Sequence, residues 1–181
     1  MQIMPIKSAT SHFDREVAMQ ETTFLDNNDS MLENLKSIPV LEPFENQELN
    51  RLLEMSKIRK YKQGECIVQE GRSDTWVYFL MQGEIQITKK GKEVAVLSNK
   101  GDVFGEMGAL DSSRRSASAH ALTNVVCLAT DIFYLEKLTG NDKVAFGYVF
   151  YRLMTEILSR RLRQTTEELI NTKGKINLKF W

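Results

Sequence analysis

The sequence predicts a mainly β fold, a sandwich or barrel, with helices on either side of it. Three observations carry that expectation. Gly64, Gly71, Gly83, Gly91 and Gly101 punctuate short segments of strand character. Inside those segments apolar and polar residues alternate, as Ile85 and Ile87 do against Glu84, Gln86 and Thr88, which is the period of a half-buried strand. Outside them the apolar period is helical, with Leu49, Leu52 and Leu53 before the glycines and Phe146, Phe150, Leu153 and Ile157 after them.

Taken in order, residues 1–30 read as a flexible arm with a brief helix at Asp14 to Gln20. Its alternative use is docking through Phe13, Val17 and Phe24. Met31 to Ser37 forms one or two helical turns, Pro39 and Pro43 break the chain, and a second helix runs from Asn46 to Ser56. Strands follow at Ile67-Val68, Trp76 to Met81, Ile85 to Thr88 and, after a tight turn at Gly91, Val94 to Leu97. Ser116 to Ala121 and Val125 to Ala129, with Asn124 at the turn between them, close the sheet. Asp131 to Leu138 is a short helix capped by Thr130 or Asp131 and ended by Gly140.

Asn141-Asp142 opens a long helix that reaches about Thr172, with Gly174 as its stop. At 1.5 Å per residue it spans on the order of 45 Å, too much to bury on one small domain. Its apolar seam passes from Phe146, Phe150, Leu153 and Ile157 to Leu158, Leu162, Thr165 and Leu169. That spacing predicts helix pairing and a homodimer, with packing back on the domain as the competing use. The divisions expected are therefore an arm at 1–30, the β domain with its helices at 31–140, the long helix at 141–173 and a tail at 174–181.

Composition narrows the function. The chain of 181 residues is 42% hydrophobic, enough for one core with extensions, and its formal net charge is zero. Zero net charge argues against nucleic acid as a partner. No run approaches the ~20 apolar residues of a membrane helix, and no basic-then-apolar leader is present, so a cytoplasmic chain away from membranes is expected. Cys66 and Cys127 stand in separate strand-like segments and read as reduced, buried thiols, with one disulfide as the alternative. His12 and His120 belong to no cluster of metal-ligand spacing, and neither a nucleophile elbow nor a phosphate-loop lysine occurs. No enzyme, no metal and no cofactor are expected.

The chemistry concentrates in Phe104-Gly105-Glu106-Met107-Gly108-Ala109-Leu110-Asp111-Ser112-Ser113-Arg114-Arg115-Ser116-Ala117-Ser118. Arg115 can hold a phosphate by paired charge-assisted hydrogen bonds. Ionised Glu106 only accepts, so its natural partner is a hydroxyl. Gly105 permits close approach to the backbone, and a helical turn from Gly105 to Leu110 would aim N–H groups at an anion. A ligand with a phosphate and a neighbouring sugar hydroxyl suits these groups. Taken alone, Glu106 and Arg115 read equally as a surface ion pair of little worth.

Phe104-Gly105-Glu106 and Arg115-Ser116-Ala117 resemble, in type and spacing, the phosphate-binding cassette of the cyclic nucleotide-binding domains. Tyr61-Lys62-Gln63-Gly64-Glu65, Glu70-Gly71, Gln82-Gly83-Glu84 and Gly101-Asp102 match the family's turns, so the likeness runs from about Leu35 to Glu168. The resemblance implies an eight-stranded antiparallel jelly-roll β-barrel with N-terminal helices and a long C-terminal helix. It implies a pocket of Gly105, Glu106, Met107, Arg115 and Ser116, with Glu106 on the ribose 2′-hydroxyl and Arg115 on the cyclic phosphate. Arg114 is the neighbouring candidate; Ser-Ala follows Arg115 directly, which selects Arg115.

Arg160-Arg161-Leu162-Arg163-Gln164-Thr165-Thr166-Glu167 resembles the long helix of the catabolite activator branch of the family, where hydroxyls meet the adenine. The carry-over implies Thr165 and Thr166 as base contacts and cAMP as the ligand, with cGMP as the alternative because Ser116 suits either. The helix-turn-helix of that branch has no counterpart in Lys175 to Trp181, whose Phe180-Trp181 either caps the base or frays. The expected protein is a stand-alone sensor that changes shape on binding and regulates an effector protein. Its rivals are a non-binding structural or dimerisation module of the same fold and a jelly-roll enzyme.

Overall fold

The computed structural model describes residues 20–21, 29–39, 41–110 and 113–177. Among them the order is β1 (Gln20–Glu21), α1 (Asp29–Lys36), α2 (Asn46–Glu54), β2 (Ser56–Tyr61), β3 (Cys66–Val68), β4 (Trp76–Gln82) and β5 (Ile85–Lys89). Then come β6 (Lys92–Leu97), β7 (Val103–Phe104), α3 (Glu106–Leu110), β8 (Ser118–Ala121), β9 (Val125–Asp131), α4 (Phe133–Lys137) and α5 (Gly140–Asn177).

The strands form two sheets, β1-β2-β9-β4-β7 and β3-β8-β5-β6, and every pairing is antiparallel. This corrects the eight-stranded barrel: nine described strands lie in two open sheets of five and four, a sandwich rather than a closed cylinder. Strand β1 adds to the outer edge of β2, and β7 supplies only two residues to the other edge of that sheet, so hydrogen bonding does not run round from one sheet to the next.

The five-stranded sheet is buried on both faces, and the period of 2 along β4 divides its side chains accordingly. Tyr78 and Leu80 enter the layer between the sheets, with Phe104, Cys127 and Ala129. Val77 and Phe79 face the helices, with Leu49, Leu53, Phe146 and Phe150. The outer β6 of the other sheet stays almost wholly exposed. The stripe Leu49, Leu52 and Leu53 of α2 is buried as its spacing predicts, behind a capping box between Glu45 and Glu48.

Several local expectations change. Gln20 and Glu21 of the arm form a strand, and α1 already begins at Asp29; Phe13, Val17, Phe24 and the greater part of the expected Asp14 to Gln20 helix lie outside the described residues. Thr130 does not cap α4, because its hydroxyl is buried and 2.7 Å from that of Ser56. Asp131 accepts the Phe133 N–H at 3.1 Å from just ahead of the helix. Gly140 begins α5 rather than ending α4, and Gly174 lies inside α5, whose hydrogen-bonded turns carry it through. Phe180 and Trp181 lie outside the described residues.

The apolar face Phe146, Phe150, Leu153 and Ile157 packs on the chain's own sheet and α2, the use that competed with pairing to a second helix. Beyond it Leu158, Leu162 and Leu169 are exposed. Cys66 and Cys127 are free thiols. Among the described residues no helix is long and apolar enough to cross a membrane.

Candidate functional site

The site forms where β7 gives way to α3. Gly105 makes the bend at φ +82°, and a Cβ there would stand 2.6 Å from Arg115 Nη1 and 3.1 Å from the Trp76 carbonyl. The close neighbour that glycine admits is thus the Arg115 guanidinium itself. Past the bend, α3 turns Glu106 inward; past α3, the chain returns and sends Arg115 to the same place.

Glu106 is 1% exposed and Arg115 3% exposed, whereas Arg114 is exposed. Two ionisable side chains at such burial need partners. Arg115 donates from Nε to Asp74 Oδ2 at 3.0 Å, from Nη2 to Asp74 Oδ1 and to the Trp76 carbonyl at 2.6 Å, and from Nη1 to the Gly105 carbonyl. Glu106 accepts from Arg161 Nη1 of α5, whose Nη2 donates to the Val103 carbonyl. The two buried charges therefore belong to two separate pairs, Arg115–Asp74 and Arg161–Glu106.

One cavity is lined by Gly105, Glu106, Met107, Arg115, Ser116 and Arg161, with Phe104, Val68, Ile87 and Ala119 as apolar wall. All five cassette residues expected at the pocket meet there. Met107 is half exposed at its mouth, and the Ser116 hydroxyl lies 3.8 Å from its sulfur. Thr165 and Thr166 are not among the lining residues. Both are exposed on α5, and the Thr166 hydroxyl donates to the Leu162 carbonyl at 2.7 Å.

Chemically the cavity offers both an acceptor and a donor on its lining. A guanidinium has five N–H donors; four are used on Asp74, Trp76 and Gly105, which leaves one at Nη1. Glu106 meets Arg161 through Oε1, which leaves Oε2 to accept from a ligand hydroxyl. The Ser116 hydroxyl adds a second group beside Arg115.

Sequence reasoning missed Asp74 and Arg161. Asp74 carries no local mark, since a Ser-Asp-Thr turn before a strand is ordinary. Arg161 did carry one: it stands four residues after Ile157 and continues the buried stripe with a charge.

The family model for the cyclic nucleotide-binding domain matches residues 58–141. Those residues, a little under half of the chain, carry the features of a cyclic nucleotide-binding domain. The cAMP-dependent protein kinase regulatory subunit of Debaryomyces hansenii is 36% identical over 92 residues, covering 51% of this chain and 20% of that protein. The chain thus spans about a fifth of the length of that relative. The catabolite activator protein of Thermus thermophilus superposes with a TM-score of 0.59 at 27% identity, over 75% of this chain and 63% of that one. A cyclic nucleotide-binding domain from Methylobacillus flagellatus KT superposes with a TM-score of 0.72 over 85% of this chain and 89% of that one; at 19% identity that likeness speaks for the fold. The matched span holds Glu106, Arg115 and Asp74, while Arg161 enters from the helix beyond it.

Proposed function

We propose that the chain is a cyclic nucleotide sensor, with cAMP as its ligand, which regulates an effector protein through the position of α5. The observation that carries this reading is that Glu106 and Arg115, both almost fully buried, line one cavity that α5 also reaches through Arg161. The cyclic phosphate meets the remaining Nη1 donor of Arg115 and the Ser116 hydroxyl, and the charge of Arg115 balances it. The ribose 2′-hydroxyl donates to Oε2 of Glu106, the oxygen that Arg161 leaves open.

Coupling follows from that shared carboxylate. A ligand that fixes Glu106 fixes the partner of Arg161, and so favours one placement of α5 over others. Thr165 lies about one turn beyond Arg161 on the same face of the helix, about 6 Å further along. Thr165 and Thr166 reach the base when the ligand extends past Met107. A homodimer through the exposed part of α5 would bring a second set of these hydroxyls near.

One observation favours a second reading, a structural module that no longer binds: Asp74 already neutralises Arg115 in a bidentate pair. Calorimetric titration with cAMP and cGMP decides between them. The sensor reading expects saturable binding, tighter for cAMP, that Arg115→Ala abolishes and Glu106→Ala weakens by a smaller factor. No heat of binding with either nucleotide assigns the fold to the structural module.

A further inference from the structure

A second buried cation lies outside the pocket. Arg59 on β2 is 8% exposed. Its Nε donates to Glu21 Oε2 at 2.7 Å, its Nη1 donates to the Tyr78 hydroxyl at 3.0 Å, and its guanidinium lies 3.7 Å from the centre of the Trp76 ring. Glu21 comes from β1, where Glu21 pairs in register with Arg59 and Gln20 with Lys60; Lys57 meets its other oxygen. Among the described residues Glu21 is the carboxylate that balances Arg59.

Both aromatic residues that Arg59 touches lead into the pocket. The Trp76 carbonyl accepts from Arg115 Nη2 at 2.6 Å. The Tyr78 ring stacks on Phe104, with centroids 4.9 Å apart and planes 11° apart, and Phe104 lines the cavity immediately before Gly105. Arg59 thus braces the strand that anchors the phosphate-facing guanidinium and the ring behind the bend that presents Glu106.

We propose that Glu21 and Arg59 are positioning residues of the nucleotide pocket, so that docking of the Gln20–Glu21 strand on β2 and binding of ligand strengthen one another. The inference rests on the sensor reading above and extends it to the N-terminal segment. Without the Glu21 carboxylate a buried guanidinium has lost its counter-charge, a costly state that the side chain relieves by turning toward water. That turn withdraws it from Trp76 and Tyr78 and loosens the Trp76 carbonyl under Arg115. By linkage, ligand that tightens Arg115 and Phe104 favours the arrangement in which Arg59 holds Glu21.

The test is cAMP affinity of the full chain with Glu21→Gln, beside Glu21→Asp and with the melting temperature of each variant recorded. Glu21→Gln is expected to weaken binding about 3- to 30-fold, and Glu21→Asp to recover much of the loss. A Glu21→Gln variant that melts lower but binds within roughly twofold of the unaltered chain overturns the proposal, because Glu21 is then structural only. Hydrogen exchange on the unaltered chain reads the converse without any substitution: protection of the backbone amides that pair β1 with β2 rises on adding cAMP, and unchanged protection overturns the linkage. If the unaltered chain binds neither cAMP nor cGMP, the sensor reading fails first and takes this inference with it.

Discussion

The two halves of α5 carry similar apolar spacing and meet opposite fates. From Phe146 to Ile157 the apolar face is buried: Phe146, Phe150 and Leu153 are each 1% exposed. Beyond Ile157, Leu162 is 69% exposed, Leu169 52% and Ile170 63%. The first half has a sheet and α2 to cover it, and the second has outrun them. Arg161 stands at the join and ties the helix to Glu106. The difference teaches that periodicity in a helix declares a face without declaring what covers it. Here the domain covers one half and leaves the second exposed.

The sharpest way to break the contrast is truncation in the first half. Phe150→Ala is expected to cost about 3–5 kcal/mol of stability in urea unfolding, the range for an aromatic removed from a core. Leu162→Ala should stay within about 0.5 kcal/mol under conditions where the chain is monomeric. Equal losses would mean that the second half is covered too.

Substitution at the join comes next in size. Arg161→Ala leaves the buried Glu106 carboxylate without its guanidinium partner, and is expected to weaken cAMP binding by about 1–3 kcal/mol in a calorimetric titration. Protection against hydrogen exchange should fall around Arg161 while Phe146 to Leu153 stay protected. If cAMP binds as tightly without Arg161, the coupling between pocket and helix is lost as an explanation.

The exposed half gives a smaller effect that depends on concentration. If it is the surface on which two copies pair, Leu162→Asp with Leu169→Asp should remove the concentration dependence of the melting temperature and lower the sedimentation coefficient to that of one chain. A single-chain coefficient for the unaltered protein at every concentration would rule out pairing of two copies through that face.

The mildest probe is alkaline pH, which acts on the layer between the sheets and not on α5. Burial pushes the Cys127 thiol up to about 12 despite the nearby Arg59 charge. Burial likewise raises the Tyr61 and Tyr78 hydroxyls, with Tyr78 adding to the rise at Tyr61 and Arg59 opposing it at both. The unfolded chain gives up these protons from about pH 8.5–10, where the folded chain still holds them. The unfolded state then binds fewer protons, so stability is complete below that range and declines as pH rises through it. The urea midpoint measured between neutral pH and pH 11 should fall, and Tyr61→Phe should flatten the fall. The helical signal of the first half of α5 should disappear with the sandwich.

Legibility in the sequence followed distance along the chain. Gly105, Glu106 and Arg115 lie within eleven positions, and the close packing of Arg115 against Gly105 is reached through one short helix. The strands from β4 to β6 were readable because alternation at period 2 and turn glycines are local signals. The closed barrel was not delivered, because whether two sheets join depends on edges contributed by β1 and β7, two residues each.

By itself the sequence determined the local chemistry of this protein: a strand-rich middle, a helix on each side, and a cassette holding one acid and one guanidinium at fixed spacing. Only the tertiary structure decided which charges meet. Asp74 reaches Arg115 across 41 positions, Arg161 reaches Glu106 across 55, and Glu21 reaches Arg59 across 38. The physical reason is that a carboxylate or guanidinium bound for a buried pair looks, along the chain, like any solvated charge. Its worth depends on the partner that folding brings and on the water that folding removes.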